Sequence, residues 1–347
     1  MALVQMMTLK QLESCLDLPD QIFANDLLSW VAGQNDSKVH SDEFIFSGKR
    51  IYRFCANITG IEGMSGFGRS QDEMTAAVKA CAEAIERKVY CEFLKQNGSL
   101  NLQIQQTLSG MKIESNDHPK QINPSFQNSN GWAVGFSSSS AIERAKVEAL
   151  ERHLLLLTFI KDGWNGFYEI SRTTVDGIEF TSLLSRYTLA GYSAGIGIAR
   201  SEKFKGASFG YICDKAEDMK TSPRWEQVFY ESFDYIRVRS AQNNFKPQQG
   251  LIFQELEYYL ENDFTEKFST NAEFISLGES FNSNLAVIDL AKMLNLKFPF
   301  FAAVVHGQDL LPLYFKKSLT ADGENILKEG LENFGIFETI PDRHPIL

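Results

Sequence analysis

A chain of 347 residues, 44% hydrophobic and 12% aromatic with 27 phenylalanines, has the length and composition of a globular protein with a well-filled interior. Its 44 acidic against 34 basic side chains leave a net charge of −10, which argues against non-specific nucleic-acid binding and a membrane-surface role but permits a polyanion at one local site where arginines or metal ions supply positive charge. Cys15, Cys55, Cys81, Cys91 and Cys213 form no C-x-x-C pair or zinc spacing, the N-terminus does not read as a signal peptide, and no apolar run approaches ~20 residues, so a soluble, cytoplasmic protein with reduced thiols and no membrane span is expected.

The first ~40 residues read as helical and acidic. "DEFIFSGKRIYRFCANITGI" (42–61) alternates apolar and polar residues around a Ser-Gly turn, a hairpin signal. "EGMSGFGRS" (62–70) reads as a Gly-rich turn before a long helix over 72–94. Residues 97–130, rich in Asn, Gln and Ser, read as a long polar connection. "GWAVGF" (131–136) predicts a strand, and 137–160 a second long helix with serines at its N-cap. Strands are expected at "GFYEIS", "YSAGIGIA" and "ASFGYICD", and helices at 222–242 and near 250–262. Residues 284–307 read as a helix leading into a strand. Interleaved strands and helices with no obvious boundary predict one interwoven domain over 1–347, of α/β or α+β class with mixed sheets.

The pattern E-x-x-E-R occurs in both long helices, as Glu83, Glu86 and Arg87 and again as Glu148, Glu151 and Arg152. On a wheel of 100° per residue, Val78, Cys81, Ile85 and Val89 share about 60° of arc and form a core stripe, with Glu83 and Arg87 nearly opposite. A solvated face with an i,i+4 pair explains an isolated copy, at a few tenths of a kcal/mol. Two features favour a site instead. The neighbours of Glu83 and Arg87 are Ala76 and Ala80, which allow another backbone to come close, and Arg152 runs directly into Leu154–Leu157, as in a helix buried all round. Carboxylates at the edge of such a helix are costly unless paired or bound to metal. Four of them converging call for a divalent cation such as Mg²⁺, which keeps coordination positions for phosphate oxygens, while the arginines offer bidentate forks to the same phosphates.

These stretches resemble a known family. "SGFGRSQDEMTAAVKACAEAIER" is similar to the G-x-G turn and first nucleotide helix of the YcaO family, and "NSNGWAVGFSSSSAIERAKVEALER" to its S-N-G strand and second nucleotide helix, with Asn130 eighteen residues before Glu148. The resemblance is strongest over 60–240. It implies the YcaO-type fold and an ATP- and Mg²⁺-dependent enzyme that activates a peptide backbone amide. The leading expectation is a cyclodehydratase (heterocyclase) forming azolines from Cys, Ser or Thr in a ribosomally made, microcin-like precursor peptide. Thioamide or amidine formation, or a non-catalytic accessory role of the kind linked to ribosomal-protein methylthiolation, stay open. Residue by residue, the resemblance places metal at Glu83, Glu86, Glu148 and Glu151, and nucleotide at Lys79, Glu83, Arg87, Ser140, Glu148, Arg152, Glu231 and Arg237. Glu231 and Arg237 belong to a loosely matched third helix in which Asp234 stands where Gln is common.

The chain departs from the family at Lys79, where Ser is usual, and at Phe136 and Ser140, where Asn and Glu are usual. Lys79 either meets a phosphate or pairs with Glu83, and Glu143 is a candidate replacement for the missing carboxylate. The chain ends "PDRHPIL", whose His344 and Pro345 resemble the proline-rich tail that reaches the active site in peptide-modifying members; a frayed end is the other reading. His153 reads as packing or support for its neighbours. With about 60 residues before the G-F-G turn and most of them needed by the domain, a separate ThiF-like protein that binds the leader peptide is the expected partner. A dehydrogenase and a homodimer are further partners to consider, with no nucleic acid and no membrane.

Overall fold

The computed structural model describes residues 20–35, 37–58, 65–95, 111–112, 131–241, 257–262, 268–269, 273–282, 284–297, 299–306, 310–311, 321–337, 340–341 and 344. Helix α1 (Asp20–Ala32) precedes a hairpin of β1 (Lys38–Phe46) and β2 (Lys49–Asn57). The hairpin is antiparallel from Lys38 opposite Asn57 to Phe46 opposite Lys49, and turns through Ser47 and Gly48, both at positive φ. The next element corrects the sequence reading: Gly66–Ser70 is not a turn but a strand, β3, paired antiparallel with β2.

The glycines of β3 serve a close approach. A Cβ on Gly66 would lie 2.2 Å from the Ala80 carbonyl oxygen, and one on Gly68 would lie 1.8 Å from that of Ala76. Both alanines belong to α2 (Glu73–Lys95) and are fully buried. Strand and helix therefore meet backbone to backbone, with small residues on both sides of the contact. The opposite stripe of α2 behaves as the periodicity predicts: Cys81, Ile85 and Val89 are in the core and Val78 packs against it.

Strand β4 (Met111–Lys112) is the described part of the polar connection. Strand β5 (Trp132–Gly135) leads into α3 (Ser138–Asp162), whose N-cap Ser137 accepts from the Ser140 N–H at 3.1 Å. Four strands follow: β6 (Phe167–Val175), β7 (Ile178–Leu189), β8 (Tyr192–Ser201) and β9 (Ala207–Lys215), each antiparallel to the next. The sequence reading missed β7, although Asp176-Gly177, a hairpin dipeptide here at positive φ, announces the turn before it. Helix α4 (Trp225–Ala241) falls within the predicted 222–242, and 257–261 is helical within the predicted 250–262.

Beyond these lie β10 (Ile275–Ser276), β11 (Phe281–Asn282), β12 (Asn284–Asp289), α5 (Leu290–Met293), β13 (Phe301–His306) and α6 (Ala321–Glu332). β10 runs parallel to β7 and β11 parallel to β4. "NLAVID" is thus a strand where a helix was expected. A short apolar run does not distinguish the two, and antiparallel pairing with β13 decides it. Helix α6 was not anticipated.

Three sheets and three long helices position the site. The sheet of order β12-β13-β5 alternates its faces: Trp132, Val134, Ala302 and Val304 share a core with α2, while Ala133, Ala303 and Val305 share another with α3. The five-stranded sheet turns Leu183, Ile196, Ile198 and Phe209 to α3, and Leu184 and Ile212 to Trp225 and Val228 of α4. Helix α3 is consequently covered on both sides, and Leu154–Leu157 are all fully buried. Each such leucine stabilises the fold by about 1.5–3 kcal/mol relative to exposure.

Gly68→Ala is expected to destabilise the chain by about 3 kcal/mol or more, since the clash is with backbone that cannot rotate away. Gly177→Ala, at positive φ but with nothing within 4 Å of its Cβ, should cost about 1–2 kcal/mol. Urea unfolding of both variants measures the difference.

Candidate functional site

Five carboxylates from three helices lie within electrostatic reach of one another: Glu83 and Glu86 of α2, Glu148 and Glu151 of α3, and Glu231 of α4. Their titration records their proximity. Burial raises the Glu86 pKa well above its ordinary value, and Glu148 and Glu83 add to the rise. Burial pushes Glu148 up to about 8, with Glu151 and Glu83 pushing the same way against Arg152 and Arg87. Glu151 is raised by burial against the pull of Arg152 and Arg224. Glu231 rises to about 6 through burial, with Glu151 and Glu83 opposing Arg69. Yet Glu231 is solvent-exposed and Glu83, Glu86 and Glu148 are only half-buried. Carboxylates that water can reach while protein walls them in are lining a concave surface.

Arginines stand among them. Arg87 donates through Nη2 to Glu83 Oε1 at 2.9 Å, while its buried Nε has no acceptor. Arg152 lies 4.8 Å over the Tyr211 ring with Nη1 3.6 Å from Glu151 Oε1, and that buried nitrogen has no hydrogen-bond acceptor either. The second oxygen of Glu83 accepts from the Phe67 N–H of β3 at 2.8 Å. Lys79 does not pair with Glu83; its Nζ donates to Gln227 Oε1 on α4 at 3.1 Å.

Sequence reasoning missed Arg69. It directly follows the G-F-G of β3, and its charge acts on both Glu83 and Glu231 from beside them. It donates from Nε at 2.9 Å and Nη2 at 2.7 Å to Asp234 Oδ2. Asp234, 2% exposed, also accepts from Arg53 Nε at 2.8 Å and Arg237 Nη2 at 3.1 Å. The three guanidinium groups hold its carboxyl below its ordinary pKa despite burial, which alone would raise it. Arg237 therefore belongs to this hub, with a further bond to Asp42 at 2.9 Å and its guanidinium 4.7 Å over Phe44, rather than to the glutamate recess. The signal for Arg69 was its place on a strand that glycines press against α2.

The remaining predicted positions lie as follows. Ser140 is exposed in the first turn of α3 and serves the cap through its N–H. Phe136 is half-buried with its ring 5.3 Å from Phe300, filling the space where a polar group was expected. Glu143 accepts from the Tyr192 hydroxyl at 2.5 Å and lies 3.9 Å from Lys146, so it faces β8. His153 is fully buried: its Nδ1 accepts from the Leu311 N–H at 3.0 Å, its ring lies 5.1 Å from Phe334, and burial lowers its pKa to about 3. It is a packing residue. His344 is 4% exposed, which a frayed end would not be, and Pro345 lies outside the described residues.

The donor set fits phosphate oxygens, because two buried guanidinium N–H groups await acceptors. It fits a divalent cation in a restricted way. Among the described residues no three carboxylate, imidazole or thiol groups already form a metal cage, and both oxygens of Glu83 are hydrogen-bonded. Glu86, Glu148 and Glu151 can supply one or two oxygens, leaving the rest of an octahedral shell to ligand and water.

No family model matches the sequence, and no curated protein matches it. Among solved structures the chain is similar to YcaO from Methanopyrus kandleri bound with AMPPCP and Mg²⁺, at 12% identity and a TM-score of 0.46 over 82% of this chain and 90% of that one. It is also similar to the E. coli microcin synthetase McbBCD complex, at 11% identity and a TM-score of 0.43 over 84% of this chain and 95% of that one. A heterocyclase in complex with substrate and cofactor gives 11% identity and a TM-score of 0.43 over 80% of this chain and 50% of that one. No helix among the described residues is long and apolar enough to cross a membrane.

The raised carboxyl pKa values fix a pH dependence. Below the ordinary value of 4.5, folded and unfolded chains both hold these protons; as pH rises towards about 8 the unfolded chain releases protons that folded Glu148 retains. Stability should therefore fall across that interval. The melting temperature without ligand is expected to be several degrees lower at pH 8 than at pH 6, and Glu148→Gln should remove much of that slope in a thermal-denaturation series.

Proposed function

We propose that this chain is a divergent YcaO-type enzyme that uses ATP and Mg²⁺ to activate a peptide backbone amide, cyclising Cys, Ser or Thr residues of a ribosomally made precursor to azolines. One observation carries the reading: glutamates of two E-x-x-E-R helices converge with a third helix on a recess where two buried arginine N–H groups lack acceptors. Repelling carboxylates beside unpartnered guanidinium groups suit a ligand that carries both a cation and phosphates.

Within this reading, one or two of Glu86, Glu148 and Glu151 would hold Mg²⁺, with Glu231 of α4 within electrostatic reach of Glu151. Arg87 through Nε and Arg152 through Nη1 donate to phosphate oxygens. Glu83 holds Arg87 in position and ties α2 to β3 through the Phe67 N–H. When bound, Mg-ATP supplies the phosphoryl group that makes the amide oxygen a leaving group. The protein's part is to place that oxygen in line with the γ-phosphate and to stabilise the charge, so no protein nucleophile is needed. Consistent with this, His153 is an inert core residue and His40 lies on β1. A separate ThiF-like protein that binds the leader peptide completes the system.

Glu148→Gln and Glu151→Gln should each lower ATP turnover by about 100-fold or more and leave the melting temperature unchanged or raised, because a carboxyl whose ionisation the site resists is replaced by a neutral amide. Phosphate release and peptide mass shifts, measured with precursor peptide and partner protein, test this; wild-type turnover in both variants would overturn the assignment. Deleting residues 343–347 should slow peptide modification by up to ~100-fold through misplacement of the amide, with ATP affinity unchanged in a binding titration.

A further inference from the structure

The cations around the recess are not matched one for one by its glutamates. Lys79 of α2 donates to a neutral amide oxygen, Gln227 Oε1, at 3.1 Å. Arg144 of α3 donates through Nη1 to the Val134 carbonyl at 3.1 Å. Arg224, beside the first turn of α4, donates through Nη1 to the Cys213 carbonyl at 2.6 Å, with Asp214 Oδ2 at 4.0 Å. Neutral acceptors hold Lys79 and Arg144 in place without cancelling their charge, while Arg224 is also ion-paired with Asp214.

Lys79 lies within electrostatic reach of the others. Burial lowers its pKa, Glu231 opposes that as the strongest single charge, and Arg144, Arg224 and Arg69 lower it further. Lys79 and Arg69 are half-buried, where like charges repel more strongly than in water, while Arg144 and Arg224 are exposed. An entering anion relieves that repulsion. On the opposite side of the balance, each oxygen of Glu83 already accepts one hydrogen bond, and no three ligating groups among the described residues form a cage. Side-chain cations thus stand beside the glutamates, and a ready-made metal cage does not.

We propose that Lys79, supported by Arg144 and Arg224, is a built-in counter-ion for the phosphate chain of a nucleoside triphosphate, and that it lessens the dependence of nucleotide binding on a divalent cation. The inference rests on the ATP reading above and concerns residues that reading does not explain. An ammonium group has three donors on a compact charge; one is taken by Gln227, which leaves two for phosphate oxygens. Arg144 of α3 and Arg224, just before α4, act on it electrostatically from two further elements.

The test is ATP binding by titration calorimetry, with Mg²⁺ and again with excess EDTA, for the wild type, Lys79→Met, Lys79→Arg and Arg144→Gln. Wild type should lose less than about 10-fold in affinity when Mg²⁺ is withdrawn, and Lys79→Met about 100-fold or more. Lys79→Arg should behave as wild type. Arg144 is exposed, so Arg144→Gln does not endanger folding and should shift the same ratio by about 3-fold. An equal loss in wild type and both charge-removing variants would overturn the proposal while leaving ATP binding intact. No ATP binding by the wild type in Mg²⁺ would overturn the ATP reading itself, and this inference with it.

Discussion

Helix α2 rests on β3 with backbone against backbone, and the rest of the recess is placed by that contact. Gly66 and Gly68 on the strand and Ala76 and Ala80 on the helix leave no side chain between them. Only at this separation does Glu83 reach the Phe67 N–H. That bond orients Glu83 towards Arg87, and the next residue but one on the strand, Arg69, comes within electrostatic reach of Glu83. Arg69 then meets Asp234 of α4, which also gathers Arg53 and Arg237. A chain of short contacts therefore runs from two glycines to the helix that carries Gln227 and Glu231.

Helix α3 answers a different constraint. Sheets cover it on both sides, so its carboxylates emerge only where apolar cover ends, and Glu151 is still 8% exposed. Holding Glu86, Glu148, Glu151 and Glu231 near one another works against stability, as their raised pKa values register. Natural sites often sacrifice stability in this way when a ligand is meant to complete them. The leucines of α3 and the Asp234 hub offset the strain from either side of the recess.

The departures at Lys79, Phe136 and Ser140 share one physical theme. Phe136 packs on Phe300 and Ser140 faces solvent beside the helix cap, so neither brings an acidic or amide group to the recess. Glu143, one turn along, is held by Tyr192. The acidic side is therefore thinner here than the sequence resemblance implies, and the added charge of Lys79 lies on the cationic side.

Periodicity alone determined much of this. The stripe of Cys81, Ile85 and Val89, the all-round burial of Leu154–Leu157, the N-cap at Ser137 and the importance of alanines beside Glu83 were all legible, because helical spacing and capping are local properties. The repeated E-x-x-E-R was legible as a pair for the same reason. What tertiary structure decided was everything that depends on a distant partner. β3 reads as a turn until β2 pairs with it and α2 presses upon it; β12 reads as a helix until β13 lies alongside. Arg237 was placed at the site by the loosely matched family resemblance, but Asp42 and Asp234, brought together by folding, bond to it. Arg69 drew no reading from the sequence, and Lys79 was open between a phosphate contact and a pair with Glu83, until the third helix supplied Asp234 and Gln227. Hydrogen-bond partners far apart in sequence carry no local periodicity, so only their approach in three dimensions could assign them.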